Sequence, residues 1–201
     1  MRRRGRPEES KLFSKKNAVS IFIVMIMVLS IAGFLVTRNN TSANKREYNG
    51  YTFTFIPSKN FWETDWNDIN LDFIYEPDAA AQVKIQGDPV ARLKNTKMFL
   101  MSYDNDSDFI SDMALVQYDF QRLLQPNLDI FVDGGMAFPN TYGQKVITCE
   151  NATSTTPVLL FRGGNETLLK EQGDCIIATA RDQADVYLLA DRILYGLYGI
   201  I

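Results

Sequence analysis

Residues 97–135 read KMFLMSYDNDSDFISDMALVQYDFQRLLQPNLDIFVDGG. The first seven form an apolar run of strand length, which predicts a strand central in its sheet. A polar turn follows at 104–108. Phe109, Ile110, Met113, Leu115, Val116, Phe120, Leu123 and Leu124 then recur at helical spacing as far as Gln125. Ser107 or Asp108 stands where an N-cap belongs, and Pro126 stands where the helix is expected to stop. Residues 128–133 predict a second strand, stopped by Gly134 and Gly135. Strand, helix and strand with short links is the pattern of a βαβ unit with parallel strands. The stretch sets the fold class as α/β (or α+β).

Toward the C-terminus, strands are expected at 145–149, 157–162 and 174–179. Residues 163–166 read as a turn and 167–170 as the hairpin partner of the strand before it. Asp182 opens a closing helix to about Tyr198, with Val186, Leu189, Ala190, Ile193, Leu194 and Leu197 as one apolar stripe. Toward the N-terminus, YTFTFI at 51–56 alternates and ends at Pro57, giving a strand with one buried face. Further strands are expected at 69–75 and 83–86. Residues 60–70 place Phe61, Trp62 and Trp66 in a polar setting. Together these predict one mixed-sheet domain over 48–201 with a βαβ unit, a β-hairpin and a C-terminal helix.

The chain ahead of it is different. Residues 17–37, NAVSIFIVMIMVLSIAGFLVT, carry no charge. As a helix this stretch is about 30 Å long, the hydrocarbon thickness of a bilayer, so it is expected to span one. Residues 1–16 hold seven basic and two acidic side chains, against 14 basic and 22 acidic in 38–201. Basic flanks stay inside, so a cytoplasmic tail at 1–16 and an extracytoplasmic body are expected. Residues 38–47 are polar and read as a stalk. Cleavage of a signal peptide after Ala32 is the rival reading; the apolar run continues past that point, which favours an uncleaved signal-anchor.

Composition narrows the chemistry. With no histidine and two cysteines in 201 residues, the chain cannot build a Ser-His-Asp triad, a His-ligated metal site or a zinc site made of four cysteines. Outside the cytoplasm, Cys149 and Cys175 are expected to form a disulfide. Asn-x-Ser/Thr occurs at Asn39, Asn40, Asn105, Asn151 and Asn165, more often than chance supplies, so a glycan on at least one is expected. Asp104, Asp106 and Asp108 repeat at the spacing that opens a calcium loop, but Phe109 and Leu115 stand where that loop needs Gly and Glu. Asp104 and Asp133 would share the carboxyl edge of a parallel sheet, where acid–base chemistry without histidine is conceivable. Trp62 and Trp66 are candidate binding residues if exposed. No motif calls for a cofactor or nucleic acid.

The last third runs TCENATSTTPVLLFRGGNETLLKEQGDCIIATARDQADVYLLADRILYGLYGII. Its order of Cys149 with Asn-Ala-Thr, then Asn-x-Thr, Cys-Ile-Ile and Ala-Asp-Arg-x-Leu-Tyr-Gly resembles a group of uncharacterised archaeal single-pass membrane proteins. The likeness covers about a quarter of the chain and implies topology and source, with no activity attached. The expected function is a membrane-anchored binding or structural protein of the cell envelope, with an envelope protein partner or self-association. The alternatives are a histidine-free hydrolase or transferase using Asp104 and Asp133, and an accessory subunit of a membrane complex.

Overall fold

Apolar periodicity, tight turns and two proline-led short helices lay out the chain in a computed structural model that describes residues 15–39 and 44–201. The basic tail at 1–14, the stalk residues 40–43 and the sequon at Asn40 lie outside the described residues. The described residues fall into two units, one holding the first helix and one running from Arg46 to Ile201.

Helix α1, Lys15–Asn39, covers the uncharged run. Its side chains are described over 19–31, and all of them are exposed, apolar ones included. That portion is about 20 Å long, and no helix among the described residues is long and apolar enough to cross a membrane.

The second unit begins with an antiparallel meander. Strands β1 (Lys45–Tyr48), β2 (Tyr51–Ile56), β3 (Phe61–Trp66) and β4 (Ile69–Phe73) lie in chain order in a four-stranded sheet. Asn49-Gly50 and Asn67-Asp68 join strands with positive φ at both positions, as tight two-residue hairpins require. Two expectations are corrected here. Residues 45–47, assigned to the stalk, form β1 together with Tyr48, and the polar stretch 60–70 contains β3. In β3 Trp62, Thr64 and Trp66 share one face and Phe61, Glu63 and Asp65 the other, while pairing with β2 and β4 supplies the backbone partners.

Strands β5 (Lys84–Gln86), β6 (Met98–Tyr103), β7 (Phe131–Met136), β8 (Val158–Gly163), β9 (Leu168–Gln172) and β10 (Cys175–Ala180) form a mixed sheet in the order β5-β9-β10-β8-β6-β7. The βαβ unit is present: β6 and β7 are parallel, joined by helix α4, Ile110–Leu128. β8 pairs in parallel with β6 and with β10. The expected hairpin of 157–162 with 167–170 is absent, because β10 lies between them and pairs antiparallel with β9. All six β10 residues are buried, so the most apolar strand takes the middle.

Three boundaries also move. Gly134 and Gly135 continue β7 instead of ending it. A Cβ on Gly134 would lie 2.6 Å from Gln121 Nε2, and one on Gly135 would lie 2.6 Å from the Lys145 carbonyl oxygen, so bare backbone is what fits between α4 and 145–147. Pro126 lies inside α4, where it forfeits one hydrogen bond near the end of the helix; the helix stops at Asp129, with φ 55°. The cap is Phe109 with no side-chain bond; Ser107 Oγ accepts from the Phe109 N–H, and Asp108 makes no cap. Residues 145–149 form one bridge, Met136 with Val146, and then a 3-10 turn at Cys149–Asn151. Thr148 and Asn151 cap that turn reciprocally, which takes the backbone out of the extended form.

Helices α2 (Pro77–Ala81), α3 (Pro89–Lys94) and α5 (Gln183–Leu197) complete the unit. Asp182 caps α5 as expected, accepting from the Asp185 N–H. The predicted stripe is buried, and so are Asp191, Tyr195 and Gly196 outside it. The reason is position: α5 packs on β10 and also carries the four-stranded sheet, with Tyr195 stacked 3.9 Å from Phe73 and edge-on to Phe53. The main core therefore runs from one sheet through the helices to the other. Beyond the large sheet, Ile147, Val158, Cys175 and Ile177 form a smaller cluster, closed by the Cys149–Cys175 disulfide.

Candidate functional site

The acids expected to share an edge do not meet. Asp133 sits in register with Leu100, four positions before Asp104, about 13 Å along the strands. Asp133 Oδ2 accepts from Lys145 Nζ at 2.6 Å, while Asp104 Oδ1 accepts from the Asp106 N–H. Among the described residues no three acids gather to hold a metal ion, the Asp104, Asp106 and Asp108 set included. Trp66 is tied into the body: its ring lies 5.0 Å from Tyr198 and its Nε1 donates to the Tyr198 carbonyl. Trp62 packs on Phe55. Of the sequons, Asn151 and Asn165 are exposed, Asn105 is half-buried with Oδ1 accepting from the Phe138 N–H, and the Asn39 side chain lies outside the described residues.

A different site emerges where the small sheet overhangs the helices. Phe61 from β3 and Asp72 and Ile74 from the end of β4 form one wall of a cleft of about 440 Å³. α4 supplies Leu115, Phe120 and Leu123, with Asp119 and Arg122 on the same wall, and α5 supplies Tyr187, Ala190, Asp191 and Leu194. The helical spacing that buries Val116 and Phe120 turns Leu115 and Tyr118 outward, 48% and 58% exposed, so apolar surface continues past the mouth. A mostly apolar cleft of this size with a few convergent polar groups is the usual form of a ligand site.

Asp191 is the unusual member. It is 6% exposed, and its Oδ2 accepts from the backbone N–H of Ile74 at 2.9 Å and of Tyr75 at 2.7 Å. Oδ1 has no hydrogen-bond partner among the described residues, and the residue lines the cleft. Burial pushes the carboxyl up to about 8; the two backbone N–H groups pull the other way, and nearby Asp119 adds to the rise. Beside it, Tyr195 donates to the Tyr75 carbonyl at 2.6 Å, so α5 grips the chain where it leaves β4. Tyr187 donates to Asp112 Oδ1 at 2.6 Å; burial and then that carboxylate push its phenol up to about 12.

One acid near the start of α5 is the opposite case. Asp185, also buried, accepts from Arg181 and from the Thr167 hydroxyl, and the Arg181 hydrogen bond is the main force lowering it to about 2. It is fully engaged and anchors the helix.

Sequence reading missed the cleft because its walls come from three separated stretches. The available signal was Asp191 itself, an acid between Ala190 and Ile193 in a helix whose remaining faces are also apolar. No known protein family, curated protein or solved structure matches the chain.

Proposed function

We propose that the chain is a membrane-anchored, extracytoplasmic binding protein of the cell envelope. The observation that carries the binding reading is the apolar cleft between β4, α4 and α5, with Leu115 exposed in its lining and Tyr118 exposed one helical turn further along α4. The anchor reading is supported by the uncharged run at 17–37 within α1 and by the basic residues ahead of it. A disulfide, and the exposed sequons Asn151 and Asn165, suit an exported domain that carries glycan. The topology is the one the resemblance to archaeal single-pass proteins implies. The hydrolase alternative draws no support from the separated Asp104 and Asp133.

The test is a photo-crosslinking residue at Tyr118 in sealed native membranes, with protease added outside. The expected result is a discrete adduct at Tyr118, absent when the probe is placed at exposed Lys59, and outside protease digesting residues beyond the anchor. A domain protected in sealed membranes refutes the topology. No adduct specific to Tyr118 refutes the binding reading.

A further inference from the structure

The chemistry of the cleft narrows what fits it, taking the binding reading above as given. Its body is apolar: Phe61, Ile74, Leu115, Phe120, Leu123 and Leu194. Its ionisable groups are mostly acids. Asp72, Asp119 and Asp191 line it, and the one cation among the described lining residues, Arg122, lies 3.3 Å from Asp119. That pair is partly exposed and close to neutral as a unit, which leaves Asp72 at the rim with no cation paired to it among the described residues and Asp191 inside, where burial keeps its carboxyl protonated at neutral pH. Ile74 and Tyr75 hold Oδ2 of Asp191 and so set the plane of the carboxyl, which leaves Oδ1 free for a ligand. With the carboxyl pushed up to about 8, Oδ1 carries the proton at neutral pH in the empty cleft; a donor that carries positive charge displaces that proton and pairs with the ionised carboxylate.

We propose that the cleft binds a small organic cation, an ammonium group on an apolar ring or short chain, with the ammonium donating to Asp191 Oδ1 and the apolar body between α4 and β4. An anion would meet Asp72 at the mouth of a site of low polarity whose one described cation, Arg122, is already paired with Asp119. A neutral apolar molecule would fill the walls and leave Asp72 uncompensated. Loading the cation ionises Asp191, so binding releases a proton at neutral pH and strengthens as pH rises toward 8. The other ionisable groups that face Asp191 are Asp72 from β4, Tyr75 just beyond it, Asp119 and Arg122 from α4, and Tyr187 and Tyr195 on α5. The acids in this set add attraction for the cation.

The experiment uses the full chain in lipid nanodiscs, with empty nanodiscs as the blank. Benzylammonium, benzyl alcohol and benzoate are titrated separately, followed by ligand-observed NMR and by calorimetry in two buffers of different ionisation heat. The expected result is saturable binding of benzylammonium alone, with proton release, and affinity about tenfold or more weaker in Asp191→Asn. Asp72→Asn, at the exposed rim, serves if the buried variant fails to fold, and is expected to weaken binding several-fold. Equal binding of benzyl alcohol, or unchanged affinity in a folded Asp191→Asn or in Asp72→Asn, overturns the cation assignment while the binding reading stands. No binding by any of the three probes overturns the inference, and the Tyr118 crosslink then judges the binding reading separately.

Discussion

Replacing Asp191 by Asn is expected to stabilise the protein, by an amount that grows with pH. The folded carboxyl titrates at about 8 against 3.8 for the ordinary side chain. Between those values the folded state keeps a proton that the unfolded chain has released, so stability falls as pH rises. Each unit is worth about 1.4 kcal/mol. From pH 4 to pH 7 the wild-type protein therefore loses about 4 kcal/mol at this residue. Asn fits the same place: its oxygen accepts from the Ile74 and Tyr75 N–H groups, and it has no charge to desolvate. Urea unfolding of both proteins at half-unit steps from pH 4 to 8.5, in one mild detergent, reads the difference. The two curves should nearly coincide near pH 4 and diverge, with the Asp191→Asn protein the more stable, by about 4 kcal/mol at pH 7. Parallel pH profiles would refute the reasoning, since they would mean that Asp191 ionises alike in both states.

Asp185→Ala should destabilise by about 3 kcal/mol at pH 7, because Arg181 and the Thr167 hydroxyl lose their shared acceptor at the start of α5; denaturant melts measure it. Since the Asp185 carboxyl titrates at about 2, its contribution of about 2 kcal/mol is present above pH 4 and fades as pH falls toward 2. Acid melts of the wild type and the variant should converge there. Cys149→Ser with Cys175→Ser should cost about 3 kcal/mol through the freed loop, read as a lower melting temperature together with loss of the mobility difference on reduction. Gly135→Ala should cost about 1–3 kcal/mol, because its Cβ meets the Lys145 carbonyl at 2.6 Å; thermal melts against Gly50→Asn, an open turn position, separate crowding from a general glycine effect.

Much of the architecture was readable where local signals and tertiary demands coincide. The β6–α4–β7 unit followed from an apolar run, a 3.6-residue periodicity and a second strand. Asp182 and the α5 stripe followed from capping and amphipathicity. The paired cysteines followed from their number, two in a chain expected to lie outside the cytoplasm. Strand order was not readable: the turn after β8 suggested a hairpin, yet the decisive fact is that β10 needs neighbours on both edges, and that need is a property of the whole sheet. The glycines of β7 read as a stop because their reason, the closeness of Gln121 and Lys145, lies elsewhere in the chain. The cleft was least legible. Phe61, Leu115 and Asp191 are each ordinary in their own segments and become a site only when α5 is sandwiched between two sheets.

That middle position of α5 has a consequence for biogenesis. The meander that leaves the ribosome early cannot bury Phe53 and Phe73 until Tyr195 follows. Trp66 waits for a carbonyl 132 residues downstream, and Asn49 Nδ2 for that of Ile200, 151 residues away. During synthesis, the four-stranded sheet must therefore emerge with its aromatic face uncovered. Quality control has a defined interval in which to act on it: any stall before α5 leaves an adhesive half-domain.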